Sequence, residues 1–187
     1  MPNPGSFEHK TVIDASGMQV LFAFLDADAI RAWWGARNVV IEPRPGGLFV
    51  VEWESGHGGQ DDLLGPLGGT LAGILDRSQA GHFVHFGSLH WLTPRGQSFG
   101  PTRLEIQVSS KGNPREAPTL LKITGSAYRS DAHWDHVFEL HRREWEKAIQ
   151  DLKKWCESQA PEQPEPRIMG LGDSYLAEAV LKRRRIS

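Results

Sequence analysis

The sequence contains a single cysteine, Cys156. One thiol excludes an intramolecular disulfide, a cysteine-rich zinc site and any metal cluster that needs several thiolates. So little cysteine is typical of a reducing compartment. The chain of 187 residues is 39% hydrophobic, which is enough to build a substantial core without covalent cross-links.

Long apolar runs and a strong charge of either sign are also missing. No apolar run approaches the roughly 18 residues of a transmembrane helix, and no charged segment followed by an apolar one indicates a signal peptide. The formal net charge is −2, which gives no reason to expect nucleic acid or anionic lipid as a partner. We expect a soluble cytoplasmic protein that binds neither nucleic acid nor membrane.

Several familiar catalytic and nucleotide-binding motifs are absent. The sequence holds no GxGxxG, no GxxxxGKS or GxxxxGKT, no HExxH and no internal repeat. Of its eight histidines, His82 and His85 point to opposite faces if they lie on a strand, and His133 and His136 fall on the polar side of a predicted helix. We therefore expect no metal site.

The longest periodic stretch runs from Asp131 to Glu157. At 100° per residue its apolar side chains and one histidine fall within about 60° of one line. These side chains are Trp134, Val137, Phe138, His141, Trp145, Ala148, Ile149, Leu152, Trp155 and Cys156. Charged residues occupy the opposite face, and Asp131 is suited to the N-cap. The pattern predicts a long amphipathic helix whose tryptophan-rich side needs a large concave partner.

Shorter elements precede this helix. A strand is predicted at Phe7 to Ile13, followed by two short helices, MQVLFAFL and DADAIRAWWG, the second beginning at Asp26 or Asp28 and ending at Gly35. Strand-like segments with alternating apolar residues are Val39–Glu42, Leu48–Glu54, Thr70–Asp76, His82–Leu92, Arg103–Ser109 and Thr119–Tyr128. Turn signals between them are short, so the sheet should be antiparallel and meandering. The predicted fold class is α+β.

Two stretches leave alternatives open. The glycine-rich segment from Ser55 to Gly69 is either a mobile surface loop or a cover for a pocket mouth through Leu63, Leu64 and Leu67. After residue 157, SQAPEQPEPR predicts a proline-rich linker. We divide the chain into a domain (1–157), a linker (158–172) and a C-terminal segment (173–187). That last segment is either a disordered tail or a short helix that docks on a partner subunit in a homodimer.

The order of elements and several short motifs resemble one known group of proteins. The segment VLFAFLDADAIRAWWG, with Trp33 and Trp34, is followed by Pro45, Gly46 and Gly47 leading into LFVVEWE. Later matches are Gly73 in a strand and, on the last helix, Trp145, Ile149 and Leu152. From Phe7 to Glu157 the chain is similar to the START-like SRPBCC superfamily, within it to the AHSA-like branch, the homologues of the activator of heat-shock chaperone ATPase.

The resemblance implies a helix-grip fold, in which about six to seven curved antiparallel strands wrap around a long C-terminal helix after two short helices. It also implies an elongated cavity between sheet and helix that takes a small apolar or amphipathic molecule. Some relatives carry a Rieske-type cluster, but that cluster needs two cysteines, so we expect no cofactor. Members of this group include binders, chaperone regulators and a few enzymes, and fold alone does not decide among these roles.

The expected cavity would be lined by the inner face of the sheet, the short helices and the tryptophan side of the last helix. Its expected ligand-binding residues are Trp33, Trp34, Phe49, Val51, Trp53, Leu71, Trp134, Phe138, His141 and Trp145. His141 is the one polar residue in the middle of the helix stripe, so it is either a satisfied core histidine, a group that orients a ligand, or an acid or base. The leading hypothesis is non-enzymatic ligand binding. The alternatives are a cyclase- or hydrolase-type enzyme that uses His141, and a chaperone-regulating or other protein-interaction module.

Overall fold

A computed structural model describes residues 5–110, 113, 115–127, 129 and 132–159. Nine strands and three helices follow one another within these residues and confirm the predicted α+β class. In chain order they are β1 (Phe7–Ile13), α1 (Gly17–Phe22), α2 (Ala27–Trp34), β2 (Asn38–Ile41), β3 (Gly47–Trp53), β4 (Gln60–Asp61), β5 (Gly65–Pro66), β6 (Gly69–Gln79), β7 (Phe83–Leu92), β8 (Ser98–Ser110), β9 (Thr119–Ser126) and α3 (Ala132–Ser158).

Seven of the strands form one antiparallel sheet in the order β1-β9-β8-β7-β6-β3-β2, and β4 and β5 form a separate small hairpin. Side chains alternate across the sheet because successive residues of a strand point to opposite faces. In β3 the side chains of Phe49 and Val51 are buried while Leu48 is exposed, as the sequence pattern predicted. The same alternation buries Leu104, Ile106 and Val108 of β8. One face of the sheet is therefore the core face.

The two short helices begin and end at residues suited to those positions. The Ser16 hydroxyl accepts a hydrogen bond from the Gln19 backbone N–H, and the Gln19 side chain accepts one from the Ser16 N–H, which is a capping box. Asp26 caps α2 by accepting a hydrogen bond from Ala29 N–H at 2.8 Å. Gly35 ends α2 in the left-handed conformation, with φ of +63°, that favours glycine. These caps fix the direction in which the tryptophans at the end of α2 point.

Helix α3 packs on the core face of the sheet and buries the predicted stripe. Trp145, Ile149 and Leu152 are buried together with Cys156, whose pKa burial and the neighbouring Glu157 raise to about 12. Contacts to the first strand hold the helix along the sheet. The His9 Nε2 atom lies 2.9 Å from Arg142 O, and Lys153 Nζ donates to Val12 O at 2.5 Å.

Two clusters of buried apolar side chains form the core. The larger one joins the sheet, α1, α2 and the second half of α3. The smaller one contains Leu64, Leu67, Trp91, Phe99, Trp134, Val137 and Leu140, and so joins the residues before β6 to the ends of β7 and β8 and to the first half of α3. Leu71 packs against both clusters.

The structure differs from the predicted elements in two places. The strand predicted at Arg103–Ser109 begins earlier, at Ser98, because Phe99 pairs with Trp91 across the ladder. The glycine-rich segment contains the β4–β5 hairpin instead of being structureless throughout. Asp131 and the predicted linker and tail beyond residue 159 lie outside the described residues.

Candidate functional site

A cavity of about 350 Å³ lies between the core face of the sheet and α3, at the junction of the two core clusters. Its volume is at the small end of the roughly 300–1,000 Å³ that is usual for small-molecule pockets. It is lined by Ala32, Trp33, Trp34, Gly35, Trp53, His57, Leu67, Gly68, Leu71, Leu89, Trp91, Thr102, Arg103, Leu104, Leu140, His141, Glu144, Trp145, Lys147, Ala148 and Asp151.

One side of the cavity is formed by four tryptophans. Trp33 and Trp34 stack with ring centres 4.8 Å apart, and Trp34 also contacts Trp145 at 4.8 Å and Trp53 at 4.9 Å. Hydrogen bonds fix two of these rings. Trp33 Nε1 donates to Ala23 O at 2.8 Å, and Trp53 Nε1 donates to Trp34 O at 3.0 Å. Because the N–H groups of Trp33 and Trp53 are satisfied within the protein, these two rings offer apolar surface to the cavity.

The lining also includes Leu89 and Trp91 of β7, Thr102 and Leu104 of β8, and His141 of α3. The pairing of β7 with β8 shifts register on both sides of Leu89, so the sheet is irregular where it borders the cavity. Trp91 Nε1 donates to Gly68 O at 2.8 Å, and its ring meets the His141 imidazole edge to face at 5.0 Å. These contacts place the His141 imidazole beside the Trp91 ring in the lining of the cavity.

His141 is half-buried and lines the cavity. Desolvation by burial lowers its pKa from 6.5 to about 4, because the charged imidazolium loses its hydration. The imidazole is therefore neutral near pH 7. In the neutral form one ring nitrogen donates a hydrogen bond and the other accepts one.

Charged residues of both signs line the rest of the cavity. Lys147, Glu144 and Asp151 lie on successive turns of α3, and Arg103 lies on β8. Lys147, Arg103 and His57 are exposed, so this part of the lining faces solvent. Two acidic and two basic groups therefore border the cavity, and neither sign dominates.

A covering segment, which we define as residues 54–68, closes part of the cavity through His57, Leu67 and Gly68. Leu64 and Leu67 are buried in the smaller core cluster, whereas Leu63 is 54% exposed. Leu67 lines the cavity and so acts as a cover, the second of the two alternatives from the sequence. Leu64 does not line the cavity but holds the segment in the smaller core cluster.

Asp61 ties the covering segment to α3. Its carboxylate accepts hydrogen bonds from the Leu63 and Leu64 backbone N–H groups at 2.9 Å, and each of its oxygens lies 3.0 Å from Nε2 of His136. Burial by itself raises the pKa of Asp61. The Leu64, His136 and Leu63 hydrogen bonds outweigh that cost, so the pKa lies below its ordinary value.

The expected ligand-binding residues divide into two groups. Trp33, Trp34, Trp53, Leu71, His141 and Trp145 line the cavity. Phe49 and Val51 instead pack into the main core, Phe138 packs against Phe7 with ring centres 6.2 Å apart, and Trp134 packs edge to face on Phe99 at 5.6 Å. These four lie in the core because the cavity occupies only the middle part of the helix–sheet interface.

Several residues that line the cavity were not identified from the sequence. Leu89 and Trp91 share a face of β7, and their alternation with the exposed Ser88 and His90 is a local signal for the core side. The irregularity between Phe86 and Leu89 reverses the alternation that the first half of the strand sets. Leu140 is buried at the edge of the apolar stripe of α3. His57, Glu144 and Lys147 gave no signal, because polar residues of a loop and of a helix flank are usually solvated.

Solved structures match this chain with low sequence identity. Protein MLL2253 from Mesorhizobium loti is 12% identical with a TM-score of 0.59, and the match covers 83% of this chain and 98% of that one. The Aha1 dimer from Colwellia psychrerythraea is 16% identical with a TM-score of 0.53, covering 82% and 96%. The chain has the helix-grip fold of the SRPBCC, AHSA-like group. DynU16, a protein of the dynemicin biosynthetic locus, shares this helix-grip fold at 12% identity and a TM-score of 0.61, with 86% of this chain and 49% of that one covered.

No protein-family model matches the sequence, and no curated protein does either. The structural matches therefore show the helix-grip fold and leave activity open. Within the described ranges, no three histidine, cysteine, aspartate or glutamate side chains converge where a metal ion could bind. Every helix of the described part is too short or too polar to cross a membrane.

Proposed function

We propose that the protein binds a small apolar or amphipathic molecule in the cavity between the sheet and α3, without chemical conversion. The observation that carries this proposal is the cavity itself, in which five tryptophan rings and several leucines surround one neutral imidazole. Apolar walls with a few placed polar groups are typical of small-molecule sites. Removing apolar ligand surface from water is favourable by roughly 25 cal/mol per Å².

The properties of His141 favour binding over catalysis. A general acid or base works best when its pKa is near the working pH, whereas the pKa of His141 is about 4. Near pH 7 the imidazole would have almost no proton to give as an acid and would be a weak base. The enzymatic alternative raised by the sequence therefore has less support than the binding role.

A filled-cavity variant tests the proposal. Ala148 is buried on α3 and lines the cavity, so Ala148→Leu places extra methyl groups inside it, whereas Gln150→Leu adds similar bulk on the exposed side of the same helix. The neutral fluorescent probe N-phenyl-1-naphthylamine should bind the wild type and Gln150→Leu equally, and Ala148→Leu at least tenfold more weakly. Circular dichroism melting curves would show that both variants fold.

Equal binding by the two variants, or no binding of any apolar probe to the wild type, would refute the proposal. Native mass spectrometry of the protein isolated from its own host gives an independent result. We expect a retained mass of a small molecule that is lost in Ala148→Leu.

Self-association is a second candidate function, favoured by apolar side chains on the outer face of the sheet. Val40 is 52% exposed and Leu48 is 49% exposed, and their strands β2 and β3 are neighbours. One structural neighbour, Aha1 from Colwellia psychrerythraea, was determined as a dimer. A homodimer could also form through residues 160–187. Light scattering of the wild type should then report two subunits. Leu48→Lys should give one subunit if the sheet face is the interface, and removal of residues 160–187 should give one subunit if that segment is the interface.

A further inference from the structure

We infer that the covering segment is a gate for the cavity, and that the contact between Asp61 and His136 is the latch that holds the gate shut. This inference rests on the proposed binding function and adds to it the route by which the ligand enters and leaves. Three observations support it: what the segment covers, where its backbone bends, and where the latch lies relative to the cavity.

The covering segment is the part of the cavity lining with the least regular secondary structure. It contributes His57, Leu67 and Gly68. The other lining residues lie on α2 and its Gly35 cap, on α3, or on strands of the large sheet. A helix or an inner strand leaves its place only when many backbone hydrogen bonds break, whereas a loop opens at a much lower free energy. Movement of the covering segment is therefore the least costly way to open the cavity.

Two glycines mark the bends at the ends of the segment. Gly56 has φ of +89° and Gly68 has φ of +102°, conformations that glycine adopts without the strain that other residues would meet. The two ends lie side by side, because Gly56 N–H donates to Leu67 O at 2.7 Å. Gly68 is held from outside the segment, since Trp91 Nε1 donates to its carbonyl oxygen at 2.8 Å. Residues 57–67 can therefore swing about Gly56 and Gly68 as one body.

Asp61 joins this body to α3. Each of its carboxylate oxygens lies 3.0 Å from Nε2 of His136. The His136 side chain is 35% exposed, so water can replace the contact when the segment moves. Opening also moves Leu64 and Leu67 out of the smaller core cluster, which costs buried apolar area. The apolar contacts thus favour the closed state, and the latch adds a polar contact that one substitution removes.

The position of the latch outside the cavity gives the gate a kinetic signature. Neither Asp61 nor His136 is among the lining residues, so their contact stabilises the closed protein equally with and without ligand. Weakening the contact raises the open fraction of both forms by the same factor. Entry and release should therefore both become faster while the dissociation constant stays the same. Loss of a contact to the ligand itself would instead speed release and weaken binding.

Stopped-flow fluorescence with N-phenyl-1-naphthylamine measures both rates. In His136→Leu we expect association and release to be about three- to tenfold faster, as for one lost hydrogen bond, with a dissociation constant within about twofold of the wild type. His136→Gln keeps a side-chain N–H donor and should stay near the wild-type rates. His82→Leu changes an exposed histidine away from the cavity and should leave both rates unchanged. Melting curves show whether each variant is folded.

The outcomes separate this inference from the proposed function. Unchanged or slower rates in folded His136→Leu, or faster release without faster entry, would overturn the gate and leave cavity binding intact. If His136→Leu does not fold, Asp61→Asn removes the charge of the latch and is judged by the same rates, since its amide oxygen still accepts hydrogen bonds from the backbone N–H groups that follow. Failure of the probe to bind the wild type would instead refute cavity binding itself.

Discussion

At the scale of single residues, Gly73 determines how closely β6 and β7 approach beside the cavity. A Cβ atom at this position would lie 2.7 Å from Gly87 O and 2.8 Å from the Cδ2 atom of Leu89. The Leu89 side chain lies in the space that a side chain at position 73 would fill, and Leu89 lines the cavity. Glycine is required here by close approach of the neighbouring strand rather than by backbone conformation.

We therefore predict that Gly73→Ala lowers the free energy of unfolding by about 1–3 kcal/mol, since the added methyl group forces the strand and Leu89 to move. Urea denaturation measures this change. Gly87→Ala is the matched control, because a Cβ there would have its nearest neighbour, the Cβ of Asp76, at 3.6 Å, an ordinary contact. A control that loses as much stability as Gly73→Ala would contradict the explanation.

A second prediction at the residue scale concerns how stability depends on pH, and it follows from the lowered pKa of His141. The unfolded chain takes up a proton near pH 6.5, whereas the folded chain takes it up near pH 4, so stability falls as the pH drops through this window. The shift corresponds to up to about 3 kcal/mol. Charged or titratable groups that share the cavity are His57, Arg103, Glu144, Lys147 and Asp151.

Denaturation at pH 7, 5.5 and 4 would measure this effect in the wild type and in His141→Leu. The variant should lose less stability between pH 7 and pH 4 than the wild type, because it lacks the group that must charge on unfolding. His82→Leu should keep the wild-type slope. Parallel slopes for the wild type and His141→Leu would contradict the assigned pKa.

At the scale of elements, the covering segment and α3 are joined by residues 75 positions apart in the chain, Asp61 and His136. The Asp61 carboxylate satisfies two backbone N–H groups and one imidazole, and Leu64 beneath it is fully buried. A glycine-rich segment loses much conformational entropy when it becomes ordered. These contacts therefore offset the cost of holding the segment over the cavity.

We predict that Asp61→Ala destabilises the protein by about 1–3 kcal/mol at pH 7 and speeds amide hydrogen exchange in residues 60–67. Asp62→Ala changes the adjacent, exposed carboxylate and serves as the control. Because the pKa of Asp61 is lowered, its stabilising effect is present above pH 3.8 and is lost as the pH falls through the lowered pKa. The difference between the wild type and Asp61→Ala should accordingly shrink at low pH. A constant difference would exclude the carboxylate as its source.

At the scale of the whole molecule, the described buried core begins at Phe7 and ends at Cys156. The first strand pairs with β9, next to the last helix, so the two ends of this core are close in space. Asp14 N–H donates to the Glu157 carboxylate at 2.9 Å, and Lys153 bonds both Val12 O and Glu157. These contacts join the end of the first strand to the end of α3, and the domain boundary at residue 157 stays a prediction.

We predict that a chain ending at residue 159 folds cooperatively, with a melting midpoint within about 2 °C of the full chain. Circular dichroism and binding of N-phenyl-1-naphthylamine measure the outcome, and the full chain is the reference. A shortened protein that aggregates, or that no longer binds the probe, would show that residues 160–187 belong to the domain.

The sequence by itself determined the elements whose pattern is local. The stripe of α3, the alternation of Phe49 and Val51, and the caps at Asp26 and Gly35 follow from helical and strand periods and from backbone hydrogen bonding, which depend on nearby residues only. The resemblance in the order of these elements was enough to predict the helix-grip fold.

Only the tertiary structure decided which aromatic residues border a cavity and which fill the core. Trp134 and Trp145 lie on the same stripe, yet Trp134 meets Phe99 in the smaller cluster while Trp145 meets Trp34 beside the cavity. The helical period gives a side chain's direction, but its neighbours come from distant strands. The placement of Trp91 beside His141, and of Asp61 beside His136, depends in the same way on sheet register and on the path of the covering segment, which no local pattern specifies.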